Sequence, residues 1–380
     1  MNYNFTVGYY ELHELPNINF QLNKLIANGV NIEDVKEIAP KIKDFSDWKR
    51  ETLRIADKAL KEGNLPTAAM SYRSAEFFTS PDDPDKEQLY DKFIELFYQI
   101  YESAKNQRIE IPYEDSFLPA FHLKNDEKKD TVIMFGGYDS FLEELYVMGS
   151  YIQDAGYEVI IFEGPGQGGA RIKNKLYMTH EWEKPMKVVL DFFGLTDIIL
   201  IGISLGGYLC LRAAAFEPRI TRVVVFGIIY DFFHVILHAG GNRAQDMFKN
   251  LLDQNEVEII NKILYDSMKT SLIANWGVNH GMCVMGVNTP YEYIKKVRLF
   301  TCAEISNKIT QDVLLLAGSK DHFIPIEMFY KQIEALKNVK SLTCRLFTEI
   351  EYGANHCQVG NRKLALDFIL NWINIIGRSF

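Results

Sequence analysis

Residues Gly202-Ile203-Ser204-Leu205-Gly206-Gly207 follow an apolar run, Ile198 to Ile203, and precede a helical pattern. G-x-S-x-G between a strand and a helix is the setting in which a sharp turn lifts a serine hydroxyl clear of a sheet edge. The glycines let the backbone bend without a Cβ clash, and the helix N-terminus behind Ser204 favours developing negative charge. A chance serine in a tight turn is the plainer reading of the same residues. A hydroxyl is a weak nucleophile until a base takes its proton, and that base needs orienting. An elbow serine is followed in the chain by its acid and then by its histidine, each just past a strand. Asp321 follows the apolar run Val313 to Ala317, and His356 follows Leu342 to Phe347. Taken singly, Asp321 could be a turn residue and His356 a loop histidine; their joint order with Ser204 makes them a candidate triad. His322 competes as base, but it directly follows the acid. Cys357 lacks an elbow and reads as a small buried residue.

Acyl transfer also needs donors for an oxyanion. The Leu205 N–H, just after the nucleophile, is the first candidate. The second comes from Gly136-Gly137-Tyr138-Asp139-Ser140, which follows the early apolar run Val132 to Phe135. There the Tyr138 N–H is preferred and the Gly137 N–H is the alternative. Glu163-Gly164-Pro165-Gly166-Gln167-Gly168-Gly169 also follows an apolar run, yet it matches neither phosphate-loop pattern. It reads as a tight loop lining the site, and no nucleotide is expected.

These residues need a sheet to hold them. A hairpin (Ile109 to Pro112, then Phe117 to Lys124) and six apolar runs make eight strands: Val132 to Phe135, Val159 to Phe162, Ile198 to Ile203, Val223 to Ile229, Val313 to Ala317 and Leu342 to Phe347. Continuous apolar strands alternating with helical patterns mean an α/β fold, with a mostly parallel sheet covered on both faces. Phe141 to Ala155, Leu205 to Phe216 and Lys363 to Ile376 are the clearest covering helices. The candidate site groups then fall beyond the carboxyl ends of the strands, where open α/β sheets bind ligands. Residues 1–106 show helical periodicity, with Ser46 as a candidate N-cap before the stretch ending at Glu62. Their helix pair around Gly63 resembles a tetratricopeptide unit, but no second copy follows. About 80 residues after Ile229 hold no strand pattern, too long for a structureless loop. The expected division is a helical domain at 1–106, a core at 107–229 and 306–380, and a helical lid at 230–305.

The chain has 380 residues and a formal net charge of −9, and no basic stripe marks a nucleic-acid partner. Five cysteines without CxxC spacing suggest neither a disulfide framework nor a zinc ribbon. No cofactor or metal is called for. Scattered thiols and the lack of a signal-like N-terminus suggest the cytoplasm, and no apolar run is long enough to cross a membrane.

The elbow, Gly136-Gly-Tyr-Asp-Ser-Phe-Leu-Glu-Glu144 and Glu163-Gly-Pro-Gly-Gln-Gly168, with the helical N-terminal region, resemble the α/β-hydrolase superfamily. Within it they resemble the FrsA-like group, which includes 2,6-dihydroxypseudooxynicotine hydrolase. The resemblance spans nearly the whole chain. One departure is Glu163, where that group has Asp. The resemblance implies an α/β-hydrolase fold with an N-terminal helical domain and a lid, a Ser204–His356–Asp321 hydrolase, and a homodimer. Relatives include plain esterases and enzymes that hydrolyse a carbon–carbon bond beside a ketone. The latter can use an extra carboxylate near the lid, for which Asp231 is the candidate. Trp276 belongs to a Trp-, Met- and Tyr-rich lid segment that suits a small apolar or aromatic carbonyl substrate. A peptidase or amidase of the same fold, or a silent binding protein on a hydrolase scaffold, are the rival readings.

Overall fold

The computed structural model describes residues 3–377. Its centre is one eight-stranded sheet: β1 (Arg108–Tyr113), β2 (Ser116–Leu123), β3 (Thr131–Phe135), β4 (Glu158–Phe162), β5 (Ile198–Ile203), β6 (Ile220–Phe226), β7 (Asp312–Gly318) and β8 (Ser341–Phe347). The spatial order is β1-β2-β4-β3-β5-β6-β7-β8. The hairpin β1–β2 is antiparallel and β2 pairs antiparallel with β4. All other pairings are parallel. Every residue of β3, β5 and β7 is buried. That is why they read as unbroken apolar runs: a strand covered on both faces has no solvent side to alternate toward. The edge strand β8 is mostly half-exposed.

The first helices are α1 (Pro16–Ala27), α2 (Ile32–Ile38), α3 (Phe45–Lys61), α4 (Leu65–Phe78) and α5 (Asp85–Ile100). Asp44, not Ser46, caps α3, its side chain accepting from the Asp47 N–H. Within the sheet region follow α6 (Leu142–Asp154), α7 (Gly168–Ile172), α8 (Glu183–Phe193) and α9 (Gly206–Phe216). Five helices lie between β6 and β7: α10 (Phe232–Leu237), α11 (Gly241–Asp253), α12 (Val257–Thr270), α13 (Leu272–Met285) and α14 (Pro290–Val297). The chain closes with α15 (Glu327–Ala335) and α16 (Arg362–Ile376).

Two apolar clusters sandwich the sheet. One holds α8, α9 and the helices after β6; the other holds α6 and α16. The run expected to end at Ile229 stops at Phe226 because Gly227 turns at φ +107°. Among the described residues no helix is long and apolar enough to cross a membrane.

Candidate active site

The turn after β5 is built by close backbone approaches. Ser204 sits at φ +61°, a left-handed conformation that side-chain-bearing residues adopt only when their surroundings impose it. The imposition is visible at the glycines. A Cβ on Gly202 would lie 1.9 Å from the Gly206 carbonyl oxygen, and one on Gly207 would lie 1.8 Å from that of Gly227. The Ser204 N–H donates to the Phe226 carbonyl at 2.8 Å, and the Gly207 N–H donates to the Ser204 carbonyl at 2.8 Å. Only glycine fits at 202 and 207, and the serine is thereby fixed above β5.

Ser204 Oγ lies 2.9 Å from His356 Nε2, and His356 Nδ1 lies 2.7 Å from Asp321 Oδ2. The other carboxylate oxygen of Asp321 accepts from the Phe323 and Ile324 N–H groups, both at 2.9 Å. Burial opposes charge on Asp321, but the His356 ring and the Ile324 N–H outweigh it and hold the carboxyl below its ordinary pKa. Burial also opposes a charged His356, yet the Asp321 carboxylate prevails and raises the imidazole well above its usual value. His322 is placed differently. Burial drives its pKa down to about 4 against the pull of Asp321, and Nε2 has no hydrogen-bond partner among the described residues. Its ring packs on Phe20 and Phe323, with centroids at 5.3 and 3.9 Å.

The Gly136–Ser140 loop abuts the elbow. A Cβ on Gly137 would meet the Leu205 nitrogen at 2.6 Å. The Gly137 N–H points to Ser140 Oγ at 3.4 Å, which leaves the Tyr138 N–H the freer candidate. Leu205 immediately precedes α9, so its N–H has no acceptor within that helix. The glycine loop after β4 holds this arrangement from behind instead of lining the cavity. Gln167 donates to the Gly136 and Gly137 carbonyls at 2.7 and 3.0 Å. Glu163 is buried and accepts from the Leu142 and Gly169 N–H groups, each at 2.7 Å. The Glu163 side chain thus takes up the Gly169 and Ala170 N–H groups of this Gly-rich loop.

A sequence-family model described as alpha/beta hydrolase fold matches residues 90–254. The eight-stranded, mostly parallel sheet with its turn at Ser204 after β5 has the α/β-hydrolase fold. Hydrolyase poxO of Penicillium oxalicum is 29% identical over 282 residues, covering 66% of each chain. Hydrolase acrC of Aspergillus aculeatus is 27% identical over 396 residues, covering 88% of this chain and 89% of that one. The fold also matches the crystal structure of 2,6-dihydroxy-pseudo-oxynicotine hydrolase with a TM-score of 0.61 at 21% identity, covering 92% of this chain and 94% of that one. This chain is a hydrolase.

In the hydrolase a partly open cavity of about 610 Å³ lies beside Ser204 and His356. Its walls come from three parts of the chain: α1 (Phe20, Lys24), the sheet region (Ile203, Phe226) and the helices after β6 (Val235, Trp276). Phe20 meets the His356 ring at 5.7 Å between centroids. Tyr138 lines the cavity, its hydroxyl 3.4 Å from that of Tyr293. Trp276 stacks on Phe77 and His280, with centroids at 5.2 and 5.1 Å, and donates from Nε1 to the Phe77 carbonyl at 3.1 Å. Asp231 is engaged elsewhere. It caps α10 by accepting from the His234 N–H at 3.0 Å, and it is not among the cavity-lining residues.

Sequence reasoning did not single out Phe20, Lys24 or Arg362 as cavity residues, nor the contact between His280 Nε2 and Asp139 Oδ1 at 2.7 Å. The signal for Asp139 was present in the Gly136–Glu144 motif. For the others, only the tertiary fold brings them to the site. Among the described residues, one group could hold a small cation: His234, His238 and Glu327, whose ligand atoms lie within 4.8 Å of one another. It joins α10 to α15, and of its members only His238 also lines the cavity.

Proposed function

We propose that the hydrolase is a serine enzyme acting on an ester or ketone carbonyl. The hydrogen-bonded line Ser204–His356–Asp321 carries this reading. Ser204 Oγ adds to the carbonyl carbon as its proton passes to His356 Nε2. The oxyanion is held by the Leu205 and Tyr138 N–H groups, and Asp321 stabilises the imidazolium. Collapse breaks the bond to the leaving group, which takes the proton from His356. Water, deprotonated by His356, then attacks the acyl-enzyme; Ser204 regains a proton and an acid is released. When the bond broken is carbon–carbon, the leaving group departs as an enolate and is protonated at carbon. The largely apolar cavity suits a small apolar or aromatic carbonyl compound. Resemblance to the FrsA-like group favours a homodimer, and the scattered free cysteines favour the cytoplasm.

The test is covalent labelling with a fluorophosphonate, read by intact mass and peptide mapping. Attachment at Ser204 that is lost in His356→Ala is the expected result. A folded protein that reacts with neither the fluorophosphonate nor a smaller sulfonyl fluoride would sink the serine mechanism. Turnover of simple aryl esters but not of β-diketones would assign ester hydrolysis, and the reverse pattern carbon–carbon hydrolysis.

A further inference from the structure

Arg362 is the first residue of α16 and lines the catalytic cavity. Its guanidinium donates to Asn28 Oδ1 at 2.6 Å. Among the described residues no carboxylate lies within ion-pair distance of it. The neighbouring carboxylates are committed elsewhere. Glu144 takes Lys24 at 2.6 Å and Arg73 at 2.9 Å; Glu76 takes Arg73 at 2.6 Å and Lys86 at 2.7 Å. Asp139 lies against His280 at 2.7 Å. Lys24, Arg73 and Lys86 therefore share two carboxylates, Glu144 and Glu76, and Arg362 at the cavity wall is left without one. A guanidinium does not shed its charge, and a charge withdrawn from water without a counter-charge is costly. Burial pulls the Arg362 pKa down, with Glu144 opposing from a distance.

The placement is specific. Phe20 of α1 packs on His356, and Lys24 lies one helical turn further along, about 6 Å. Arg362 follows His356 by six residues, and its bond to Asn28 reaches the C-terminal end of α1. Asn17, Gln21 and Asn28 add neutral polar groups to the lining here, whereas Ile203, Phe226, Ile229 and Phe232 keep other parts of the wall apolar.

We propose that Arg362, with Lys24 and Asn28, forms a subsite for an anionic oxygen of the substrate, a carboxylate or an enolate, carried on an apolar chain whose carbonyl reaches Ser204. The position of the reacting carbonyl rests on the serine-hydrolase reading; the anion subsite does not. A carboxylate can take two parallel N–H bonds from the guanidinium fork, and an enolate oxygen can take one. A neutral chain leaves the guanidinium uncompensated, so the site selects by the penalty on the wrong ligand as much as by the contact to the right one.

The test uses the full-length Ser204→Ala protein, so that binding is read apart from turnover. Calorimetry compares hexanoate with hexanol, and ultraviolet absorbance follows nonane-2,4-dione for its enolate. Hexanoate should bind about ten- to hundredfold more tightly than hexanol. Arg362→Met should abolish that preference and Arg362→Lys should restore part of it, with melting curves confirming the fold. If Arg362→Met does not fold, Arg362→Gln carries the same comparison. Hexanoate preference alone assigns the carboxylate; an enolate band that depends on Arg362 assigns the enolate. Equal affinity for hexanoate and hexanol with no enolate band, or a preference that survives loss of the Arg362 charge, overturns the subsite. Fluorophosphonate labelling of the wild-type protein reads the serine chemistry separately, so failure of one reading does not mask the other.

Discussion

At the residue scale, the proposed chemistry is concentrated in a few atoms whose order fixes what each substitution should do. On the proposed mechanism, Ser204→Ala removes the atom that would form the covalent bond and leaves the cavity and the candidate oxyanion donors in place. Loss of kcat by about 10⁴-fold or more is expected, with the melting temperature little changed. In the proposed mechanism His356 must be neutral to accept the serine proton. Its pKa is raised by Asp321, so kcat/KM should rise with pH through a value above the ordinary imidazole value of about 6.5. In Asp321→Asn the carboxylate is gone and the buried ring loses what favours its charge. The acidic limb should move down in pH while the plateau falls. A pH–rate profile of both proteins checks this, and an unshifted limb would remove Asp321 from the orienting role. His322 cannot substitute: with its pKa near 4 and its ring turned to Phe20 and Phe323, it is neutral at working pH but is not the ring bonded to Ser204.

At the element scale, the Gly136–Glu144 motif serves two ends of one connection. Its first half lies against the elbow, and its second half starts α6, where Glu143 is buried and Glu144 half-buried. Glu144 bonds back to the Phe141 N–H at 3.0 Å and takes Lys24 and Arg73. Glu143 faces buried Glu163. Burial, then repulsion from Glu163, pushes its pKa up to about 8, although Arg108 lies at 3.3 Å. An acid whose pKa is raised by folding holds a proton that the unfolded chain releases. Stability from this group is therefore full at low pH and falls as pH climbs from about 4.5 to about 8. Glu143→Gln keeps an oxygen for Arg108 and removes the titration. Its melting temperature should exceed that of the wild-type protein at pH 8, with the difference vanishing near pH 4; a difference independent of pH would assign the effect to packing. Much of this scale was legible from the chain. Strands buried on both faces must be apolar throughout, so β3, β5 and β7 could be seen directly. The elbow was legible because its glycines sit where backbone meets backbone. The cap of α3 was missed by two residues because Asp44 and Ser46 are equally good acceptors and only φ/ψ decides between them. The Glu163 loop was misplaced because its partners, the Leu142 N–H and the Gly136 and Gly137 carbonyls, come from separate elements.

At the scale of the whole molecule, the cavity is bounded by chain segments far apart in sequence, which is why its walls could not be read locally. Helix α1 buries Asn19, Gln21 and Asn23 beside Ile18 and Leu22. Those polar residues blur its apolar period, although Asn19 and Asn23 are bonded to the Leu12 and Tyr10 N–H groups. Trp276 ties this N-terminal region to the helices after β6. Its ring lies between Phe77 and His280, and its N–H holds the Phe77 carbonyl. Trp276→Ala deletes part of the cavity wall and the tie between α4 and α13. If that tie shapes the cavity, the loss should grow with the substrate. Over a series of p-nitrophenyl esters, kcat/KM for long or aromatic acyl groups should fall about tenfold or more, mostly through KM, whereas the acetate ester should change least. The arithmetic is consistent: losing about 1–3 kcal/mol of apolar contact corresponds to roughly five- to two-hundredfold. A loss of the same size for every acyl chain, carried by kcat, would mean that Trp276 only steadies the groups around Ser204. The helices after β6 would then act as a brace for the triad and not as a wall that selects the substrate.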